Sequence, residues 1–452
     1  MAQDHKTPEH SPAQLSSKPP LRIALAGLGT VGAGMIRLLD TNADLVRARA
    51  GRELQIVAVS ARDRGKNRGV DLSRYAWEDD MTAMAARGDV DVVVELVGGS
   101  DGPALTLARN TIAAGKGLVT ANKAMVAHHG MELAKAAESA QAPLKFEAAV
   151  AGGIPVVKGL REGTAANAIE RIYGILNGTS NYILSTMEAT GADFADVLAE
   201  AQAKGYAEAD PTFDVEGIDA AHKLSILAGI AFGACIDFGS VDCEGITNVR
   251  AADIAQADTL GYVIRLIGMA DVETGDDGAP RLLQRVKPCL VPKDHPLAHV
   301  TGATNAVVAE GNFSGRLLFQ GAGAGDGPTA SAVVADLIDI ARGETSAPFS
   351  IPVAEMIAMA PAGSGARTGR NYLRFTVTDR PGVLAEITAA MRDAGVSIES
   401  LIQQGRVSEG GEVLVAMVAH EGPEQNVAHA LQLLDASPNL TGAPLVMQII
   451  AG

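Results

Sequence analysis

Short apolar runs alternate with amphipathic stretches over the first 150 residues, a pattern typical of parallel strands joined by helices. The apolar runs predict strands over 21–26, 54–60, 90–97, 117–120 and 144–150. The stretches between them predict helices over 31–39, 103–114 and 131–139. We therefore expect one α/β domain over residues 21–150.

Beyond residue 150 the strict alternation ends, and longer helices mix with strands as in an α+β domain with a mostly antiparallel sheet. The helices are predicted over 194–204 and 219–233, and the strands over 171–176, 282–286 and 306–309. A glycine-rich turn at 321–328 then precedes an amphipathic helix over 329–341. We expect this helix to return to the first domain, and the second domain to span 151–320.

Two polar, proline-containing segments mark the ends of the predicted domains. The first 20 residues contain no apolar segment, so they predict a disordered leader rather than a signal peptide. Residues 360–371 are rich in Gly, Pro, Ala and Ser and predict a flexible linker. The pattern over 372–450 predicts the βαββαβ order of a ferredoxin-like module, which we expect to fold separately.

Charge and cysteine usage exclude several classes of function. The chain has 37 Lys and Arg against 53 Asp and Glu, a net charge of −16, which disfavours binding to nucleic acid or to an anionic membrane. Its three cysteines, Cys235, Cys243 and Cys289, form no C-x-x-C pair. This spacing disfavours a disulfide framework and a zinc site and suits a reducing cytosol, so we expect a cytoplasmic protein.

A G-x-G-x-x-G motif follows the first predicted strand and opens the first predicted helix, which is the context of a dinucleotide site. Its residues are Gly27, Leu28, Gly29, Thr30, Val31 and Gly32. After the second strand, Arg62 and Arg64 suit the 2′-phosphate of NADP(H). NAD(H) stays open, because Asp63 is an alternative partner for a ribose diol and both arginines also fit solvated loop positions.

A block of carboxylates at 201–223, AQAKGYAEADPTFDVEGIDAAHK, ends in Lys223. Asp219 and Lys223 lie four residues apart on one predicted helix, so the pattern fits a surface ion pair as well as a polar pocket with a lysine proton donor. Lys123 follows the strand over 117–120, at the carboxyl end where ligands collect in open parallel sheets. The pattern leaves both lysines open between a functional and a structural role.

Several motifs together resemble homoserine dehydrogenases over residues 21–345. They are GLGTVG, VELVGG at 94–99, VTANK at 119–123, EAAVAGGIP at 147–155, GILNGTSNYIL at 174–184, the 201–223 block and GAGAGDGPTAS at 321–331. The 201–223 block matches the family signature, A-x-x-x-G through D-P-x-x-D-x-x-G-x-D-x-x-x-K, without a gap. The segment TDRPGVL at 378–384 is similar to ACT regulatory domains.

The resemblance implies an α/β fold class with three domains. These are a Rossmann dinucleotide-binding domain at 21–150 completed by a helix at 327–342, an α+β catalytic and dimerisation domain at 151–320, and a ferredoxin-like ACT domain at 372–450. The implied activity is the NAD(P)-dependent interconversion of L-aspartate 4-semialdehyde and L-homoserine, which makes the chain an oxidoreductase of amino-acid biosynthesis.

The resemblance also implies roles for individual residues. Lys223 is the general acid/base at the carbonyl oxygen, and Lys123 is its electrostatic partner. Glu208 and Asp219 hold the substrate through its ammonium group, with Asp214 in support. Further residues implied at the cofactor or substrate are Val97, Gly98, Gly99, Lys123, Gly205, Gly323 and Gly325.

A bound monovalent cation, sodium in relatives, is implied as well. Its ligands would be the Glu147 carboxylate and the carbonyl oxygens of Val150, Gly152 and Ile154, an oxygen set that suits a hard cation. Regulation is implied through the loop formed by Asp379, Arg380, Pro381 and Gly382, where the helix N-terminus can receive a carboxylate. Since the reaction leads towards threonine, L-threonine is the expected effector, with methionine or no ligand as alternatives, and the expected assembly is a homodimer or homotetramer.

Two other functions compete with this interpretation. Aspartate-semialdehyde dehydrogenase acts on the same aldehyde but needs an activated cysteine, and none of the three cysteines has such a context. A non-catalytic sensor would bind metabolites without needing the lysine and carboxylates of 201–223. Oxidation of NADPH by the semialdehyde distinguishes an enzyme from a sensor.

Overall fold

A computed structural model describes most of the chain. The described residues are 18–275, 277–363, 367–404 and 411–450. Residues 1–17 of the predicted leader and 364–366 of the predicted linker lie outside them. Among the described residues, no helix is long and apolar enough to cross a membrane.

The strands and helices are numbered in chain order. The strands are β1 (Leu21–Ala26), β2 (Leu54–Ser60), β3 (Ala76–Trp77), β4 (Val92–Glu95), β5 (Gly117–Thr120), β6 (Leu144–Lys145), β7 (Ile169–Ile175), β8 (Asp242–Cys243), β9 (Tyr262–Thr274), β10 (Pro280–Pro292), β11 (Thr304–Gly311), β12 (Gly315–Ala322), β13 (Ala360–Pro361), β14 (Thr368–Thr378), β15 (Ile398–Gln404), β16 (Glu412–Pro423) and β17 (Leu445–Ile449). The helices are α1 (Thr30–Thr41), α2 (Ala43–Ala50), α3 (Pro103–Ala113), α4 (Lys123–Ala140), α5 (Val156–Lys158), α6 (Gly178–Thr190), α7 (Phe194–Ala203), α8 (Thr212–Val215), α9 (Ile218–Phe232), α10 (Ala251–Thr259), α11 (Asp326–Arg342), α12 (Val383–Asp393) and α13 (Glu424–Leu434).

The chain forms two compact units. The first unit runs to Val157 and includes Ala324–Glu355, so it contains α11. The second unit consists of Lys158–Gly323 and Met356–Gly452.

The first unit is built on a six-stranded parallel sheet in the order β3-β2-β1-β4-β5-β6. Its central strands are mostly apolar, as expected for strands covered on both faces, and Ile23, Leu25 and Val94 are fully buried. The strand order reverses between β1 and β4, and dinucleotides bind at the carboxyl ends of strands beside such a reversal. The predicted α/β class with a Rossmann domain is confirmed.

Several elements of the first unit differ from their predictions. Strand β4 is shorter than the strand predicted over 90–97, and α2 and β3 were not predicted. Helix α4 begins at Lys123 rather than at residue 131, because the Asn122 side chain accepts the Met125 N–H at 3.0 Å and caps it eight residues earlier. The strand predicted over 144–150 ends at Lys145. A single 3₁₀ turn, Glu147–Ala149, replaces its second half.

The second unit contains a mixed eleven-stranded sheet, whose main path runs β12-β11-β7-β9-β10-β17-β14-β16-β15. Strand β17 joins its two parts, since it pairs in parallel with β10 and antiparallel with β14. The predicted βαββαβ module is present, and it shares one sheet with the preceding α+β region.

The structure corrects the prediction of a flexible linker over 360–371. Strand β13 at its start pairs with β10, and its last residues already belong to β14. The Arg285 guanidinium also donates two hydrogen bonds of 2.8 Å to the Glu424 carboxylate on α13. These contacts make the C-terminal module a part of the second unit rather than a separate body.

Candidate active site

A cavity of about 860 Å³ lies in the first unit, where strands β1, β2 and β4 end. We call it the cofactor cleft. Its lining includes the glycine-rich turn after β1, the basic segment after β2 and the turn after β4. Of the residues predicted to bind the cofactor, the lining contains Gly27, Leu28, Gly29, Arg62, Val97 and Gly98.

The three motif glycines meet three different steric demands. Gly27 has φ +101°, and a Cβ there would lie 2.6 Å from the Leu96 carbonyl oxygen. A Cβ on Gly32 would clash with the Gly27 carbonyl oxygen, so this glycine permits close packing of helix on strand. At Gly29 nothing lies within 4 Å of the Cβ position, which leaves room for a pyrophosphate to approach the backbone.

The basic segment after β2 supplies more cations than the sequence analysis selected. Arg62, Lys66 and Arg68 line the cleft, whereas Arg64 is not part of its described lining and stacks on Trp77 at 5.6 Å. Arg68 donates to the carbonyl oxygens of Leu28 at 3.0 Å and Lys66 at 2.7 Å. Lys66 and Arg68 could have been predicted from the sequence, because basic residues occupy every second position from 62 to 68.

Carboxylates line another side of the cleft. A hydrogen bond from Thr82 lowers the pKa of Asp80 below its usual value. Hydrogen bonds from Ser100 and then His129 lower the pKa of Asp101. These groups are ionised at neutral pH and repel a phosphate group, so among the charged side chains of the lining only the cations at residues 62–68 attract one.

The segment predicted to hold a cation is buried in the first unit. Glu147 is 1% exposed, and its carboxylate accepts the Val157 N–H at 3.0 Å. Val150, Gly152 and Ile154 are also buried. Backbone φ values of +55° at Ala151 and Gly152 turn the chain sharply here. An oxygen-only set of one carboxylate and carbonyl groups in such a turn fits a hard monovalent cation.

Lys223 and its hydrogen-bonding partners form a buried cluster in the second unit. Lys223 is 8% exposed, and its Nζ donates to Asp219 Oδ2 and to the Leu176 carbonyl oxygen, each at 2.7 Å. Asn177 Nδ2 donates to Asp219 Oδ2 and to Asp214 Oδ1, each at 2.8 Å. We call Asn177, Asp214, Asp219 and Lys223 the lysine site.

Local structure explains why these side chains meet. Gly217, at φ +80°, allows α9 to begin directly before Asp219, which places this carboxylate in the first helical turn where the helix dipole favours negative charge. Lys223 follows one turn later on the same face. Asn177 Oδ1 accepts the Ser180 N–H at 2.8 Å, so the residue that bridges the two carboxylates also caps α6.

The structure does not bring every predicted substrate residue into the lysine site. Glu208 and Gly205 are exposed, between α7 and α8. The Glu208 carboxylate takes no part in the described hydrogen bonds of the lysine site. The site contains two carboxylates and one ammonium group, and this net negative charge suits a ligand that carries an ammonium group.

Asn177 was not predicted as a site residue, although it lies in the motif GILNGTSNYIL that supports the family resemblance. An asparagine at the end of a predicted strand, three residues before a serine N–H, is a helix-capping signal. Asn305, also missed, donates to the Leu176 carbonyl oxygen at 2.8 Å. Of the predicted glycines near this region, Gly323 packs directly against Asn305, and Gly325 belongs to the first unit with φ +124°.

The predicted regulatory loop borders a second cavity of about 430 Å³ in the C-terminal module. Asp379, Arg380, Pro381 and Gly382 all line it, together with residues of α12, β14, β15 and β16. Gly382, at φ +98°, precedes the first residue of α12. The cavity therefore lies at a helix N-terminus, where backbone N–H groups can receive an anion.

Family models match most of the chain. The model of homoserine dehydrogenase matches residues 155–338. The model described as its NAD-binding domain matches residues 27–147, and the ACT domain model matches 371–438. The three matches follow one another in the order that the sequence motifs predicted.

Individual relatives agree with these matches. A homoserine dehydrogenase from Pseudomonas aeruginosa is 44% identical over 433 residues, covering 94% of this chain and 97% of the relative. The crystal structure of a homoserine dehydrogenase from Thiobacillus denitrificans is 41% identical with a TM-score of 0.88, covering 95% and 98% of the two chains. A hyperthermophilic archaeal homoserine dehydrogenase solved with NADPH shares the fold over 72% of this chain and 98% of its own, with 24% identity and a TM-score of 0.61.

Proposed function

The chain belongs to the homoserine dehydrogenase family, and we propose that it reduces L-aspartate 4-semialdehyde to L-homoserine with NADPH. It is an oxidoreductase that uses a nicotinamide cofactor and carries an ACT domain. The direction of the reaction, its place in threonine, methionine and isoleucine biosynthesis, and the roles of individual residues are parts of the proposal. The buried Lys223–Asp219 pair is the observation that carries it.

The chemistry requires a proton at the carbonyl oxygen while the bound cofactor supplies a hydride to the carbonyl carbon. In the proposed mechanism the Lys223 ammonium group donates this proton, so the developing alkoxide is stabilised and then protonated. Asp219 Oδ2 and the Leu176 carbonyl oxygen hold Nζ in place. A lysine fixed by two acceptors loses little entropy when it reacts, whereas a solvated lysine would have to be ordered first.

Substrate recognition is assigned to the carboxylates of the second unit. Asp219 and Asp214 share Asn177 as a donor, which holds their oxygens in a fixed arrangement. A substrate ammonium group then completes the charge balance of the lysine site. Glu208 is proposed as a further carboxylate for the same group, and Lys123, the first residue of α4, as an electrostatic partner in the reaction.

NADP(H) is the proposed cofactor rather than NAD(H). Arg62, Lys66 and Arg68 line the cleft after β2, the strand whose end faces the adenosine ribose in Rossmann domains. Asp63, the candidate partner for an NAD ribose, already accepts the Gly65 N–H at 2.8 Å. Cations near a 2′-phosphate form charge-assisted hydrogen bonds that NAD(H) cannot make.

A monovalent cation, sodium by family resemblance, is proposed at Glu147 with carbonyl oxygens of Val150, Gly152 and Ile154. A buried carboxylate is costly unless it is paired or hydrogen-bonded, and a bound cation lowers that cost. The cation would stabilise the turn rather than react.

L-Threonine is the proposed effector at the 379–382 loop. Its carboxylate would suit the N–H groups at the start of α12, and a cavity of about 430 Å³ has room for an amino acid. Strands β17 and β10 connect this module to the strands that pack against α9. Deleting the tail after residue 360 would remove the strands β13 and β17 that pair with β10, so we expect a loss of stability as well as a loss of inhibition.

A homodimer or homotetramer is proposed through the sheet of the second unit. Strand β12 lies at one end of that sheet, with Leu318 42% exposed, and Phe313 in the adjoining turn is 89% exposed. An exposed edge strand with apolar side chains is a surface that proteins normally cover.

A steady-state assay with L-aspartate 4-semialdehyde tests the proposed function directly. We expect oxidation of NADPH with L-homoserine as product, a lower kcat/KM with NADH, and inhibition by L-threonine. Absence of turnover with both cofactors would contradict the proposed function. Turnover that threonine leaves unchanged would contradict the effector alone.

A further inference from the structure

Glu95, at the end of β4, is a buried carboxylate in the first unit that none of the roles above includes. It is 0% exposed. Its Oε1 accepts the backbone N–H groups of Val97 at 2.7 Å and Gly98 at 3.1 Å, and its Oε2 accepts the Thr120 hydroxyl at 2.6 Å. Burying a carboxylate is costly unless hydrogen bonds satisfy it, so these three donors must keep fixed positions around it.

The hydrogen bonds continue from Glu95 to the start of α4. Thr120 Oγ1 accepts the Asn122 N–H at 3.0 Å, and Asn122 Nδ2 donates to the Gly99 carbonyl oxygen at 2.7 Å. Asn122 Oδ1 also caps α4, whose first residue is Lys123. One network therefore joins the 97–99 turn to the helix that carries Lys123.

The turn held by Glu95 contacts the glycine motif and lines the cofactor cleft. A Cβ on Gly27 would lie 2.6 Å from the Leu96 carbonyl oxygen and 3.2 Å from the Val97 nitrogen, so the backbone of the turn lies close against the motif. Val97 and Gly98 line the cleft, and Val97 is 41% exposed there. Since the adenosine ribose faces the end of β2 across the sheet reversal, the end of β4 faces the nicotinamide half.

We propose that Glu95 is a positioning residue for hydride transfer. It holds the 97–99 turn against the nicotinamide half of the cofactor and, through Thr120 and Asn122, fixes the start of the helix that carries Lys123. Glu95 itself touches neither substrate nor reacting atoms. The expected effect on kcat rests on the proposed function, whereas the expected effect on cofactor binding does not.

The variant Glu95→Gln tests this role with a minimal change of shape. The amide keeps one acceptor oxygen for the two turn N–H groups, whereas its NH₂ group cannot accept the Thr120 hydroxyl. We expect kcat to fall by about tenfold or more, because small displacements of reacting groups are costly. We expect the Kd of NADPH to rise, and the Kd of adenosine 2′,5′-bisphosphate, which lacks the nicotinamide half, to stay within about twofold.

Three further substitutions separate positioning from general stability. Asp91→Asn is the matched control, because Asp91 lies at the opposite end of β4, paired with Arg22 at 2.7 Å and far along the strand from the turn. It should lower the melting temperature without changing the ratio of the two Kd values. Thr120→Ser keeps both hydrogen bonds and should retain kcat, whereas Thr120→Val should reproduce the effect of Glu95→Gln.

The outcomes are distinct. The inference is supported if kcat falls and affinity is lost selectively for NADPH in Glu95→Gln and Thr120→Val, while Thr120→Ser keeps the wild-type kcat. Unchanged kcat and Kd values, or equal losses for NADPH and adenosine 2′,5′-bisphosphate as in a destabilised domain, would overturn it. If Glu95→Gln does not fold, Thr120→Val and Thr120→Ser give the same decision. A wild-type protein that binds NADPH but does not turn over the semialdehyde refutes the proposed function and leaves the binding test intact.

Discussion

The cofactor cleft and the lysine site present charged groups in opposite ways. The cleft is open, and its lining combines glycines that leave space with basic and acidic side chains. The lysine site is buried and built from side chains, with one ammonium group and two carboxylates held together by Asn177. An open site offers many weak, replaceable contacts, whereas each charge in a buried site depends on its partner.

This difference predicts how each region responds to substitution. Losing one cation of the cleft should change affinity gradually, because water and neighbouring cations compensate. Losing one member of the lysine site leaves another buried group unpaired and should affect turnover sharply.

Replacing Lys223 should have the largest effect. Lys223→Ala is expected to lower kcat by about 10²–10⁴-fold, the usual contribution of a general acid, with the Kd of NADPH almost unchanged. Lys204→Ala is the matched control, since Lys204 pairs with Glu200 at the same i,i+4 spacing on an exposed helix face. Stopped-flow turnover and fluorescence titration with NADPH measure both quantities. Wild-type kcat in Lys223→Ala would remove the lysine from the mechanism.

Asn177 should show that the bridge between the two carboxylates matters. Asn177→Ser keeps a capping oxygen for α6 but loses the amide donor to Asp214 and Asp219, so kcat/KM for the semialdehyde should fall by about tenfold. The cap of α6 should be kept, because serine caps helices nearly as well as asparagine, so a fall in melting temperature would measure the lost amide donor. A loss of stability with unchanged kcat/KM would reduce Asn177 to a structural cap.

The cleft should respond more mildly and only towards one cofactor. The double variant Arg62→Ala/Lys66→Ala is expected to raise KM for NADPH by about tenfold and KM for NADH by less than about twofold. Arg64→Ala serves as the control, because the Arg64 side chain stacks on Trp77 and is not part of the described lining. It should have little effect on KM for either cofactor. Equal losses for both cofactors would show that these cations do not bind a 2′-phosphate.

His295, in the second unit, should affect stability rather than catalysis. It is 2% exposed, its Nδ1 accepts the Leu297 N–H at 3.1 Å, and its Nε2 lies 3.1 Å from the Tyr173 hydroxyl. Burial lowers the pKa of His295 in the folded protein. Just below pH 6.5 the histidine is therefore protonated more often in the unfolded chain than in the folded protein. The free energy of unfolding should therefore fall as pH drops below about 6.5 and stay constant above it.

The control for this effect is His295→Asn, which keeps an acceptor for Leu297 but cannot be protonated. Urea unfolding at several pH values should show a weaker pH dependence for the variant. The same pH dependence in both proteins would assign it to other groups.

Features that depend on local sequence patterns could be predicted, whereas contacts between distant parts of the chain could not. Strands β1, β2 and β5 were predicted at their observed bounds, because strands buried on both faces appear as continuous apolar runs. The pairing of β17 with β10 was not predicted, since local patterns carry no information about contacts between strands about 150 residues apart. Glu95 and Asn177 were within quoted motifs, but their partners Thr120 and Asp214 become neighbours only in the fold.

The transfer of hydride to the aldehyde carbon is the central claim, and isotope tracing tests it most directly. The wild-type protein is incubated with L-aspartate 4-semialdehyde and NADPH deuterated at the transferable C4 position, and the product is analysed by mass spectrometry and NMR. We predict L-homoserine with a single deuterium at its hydroxyl-bearing carbon. Homoserine without deuterium at that carbon, or consumption of neither substrate, would contradict the account.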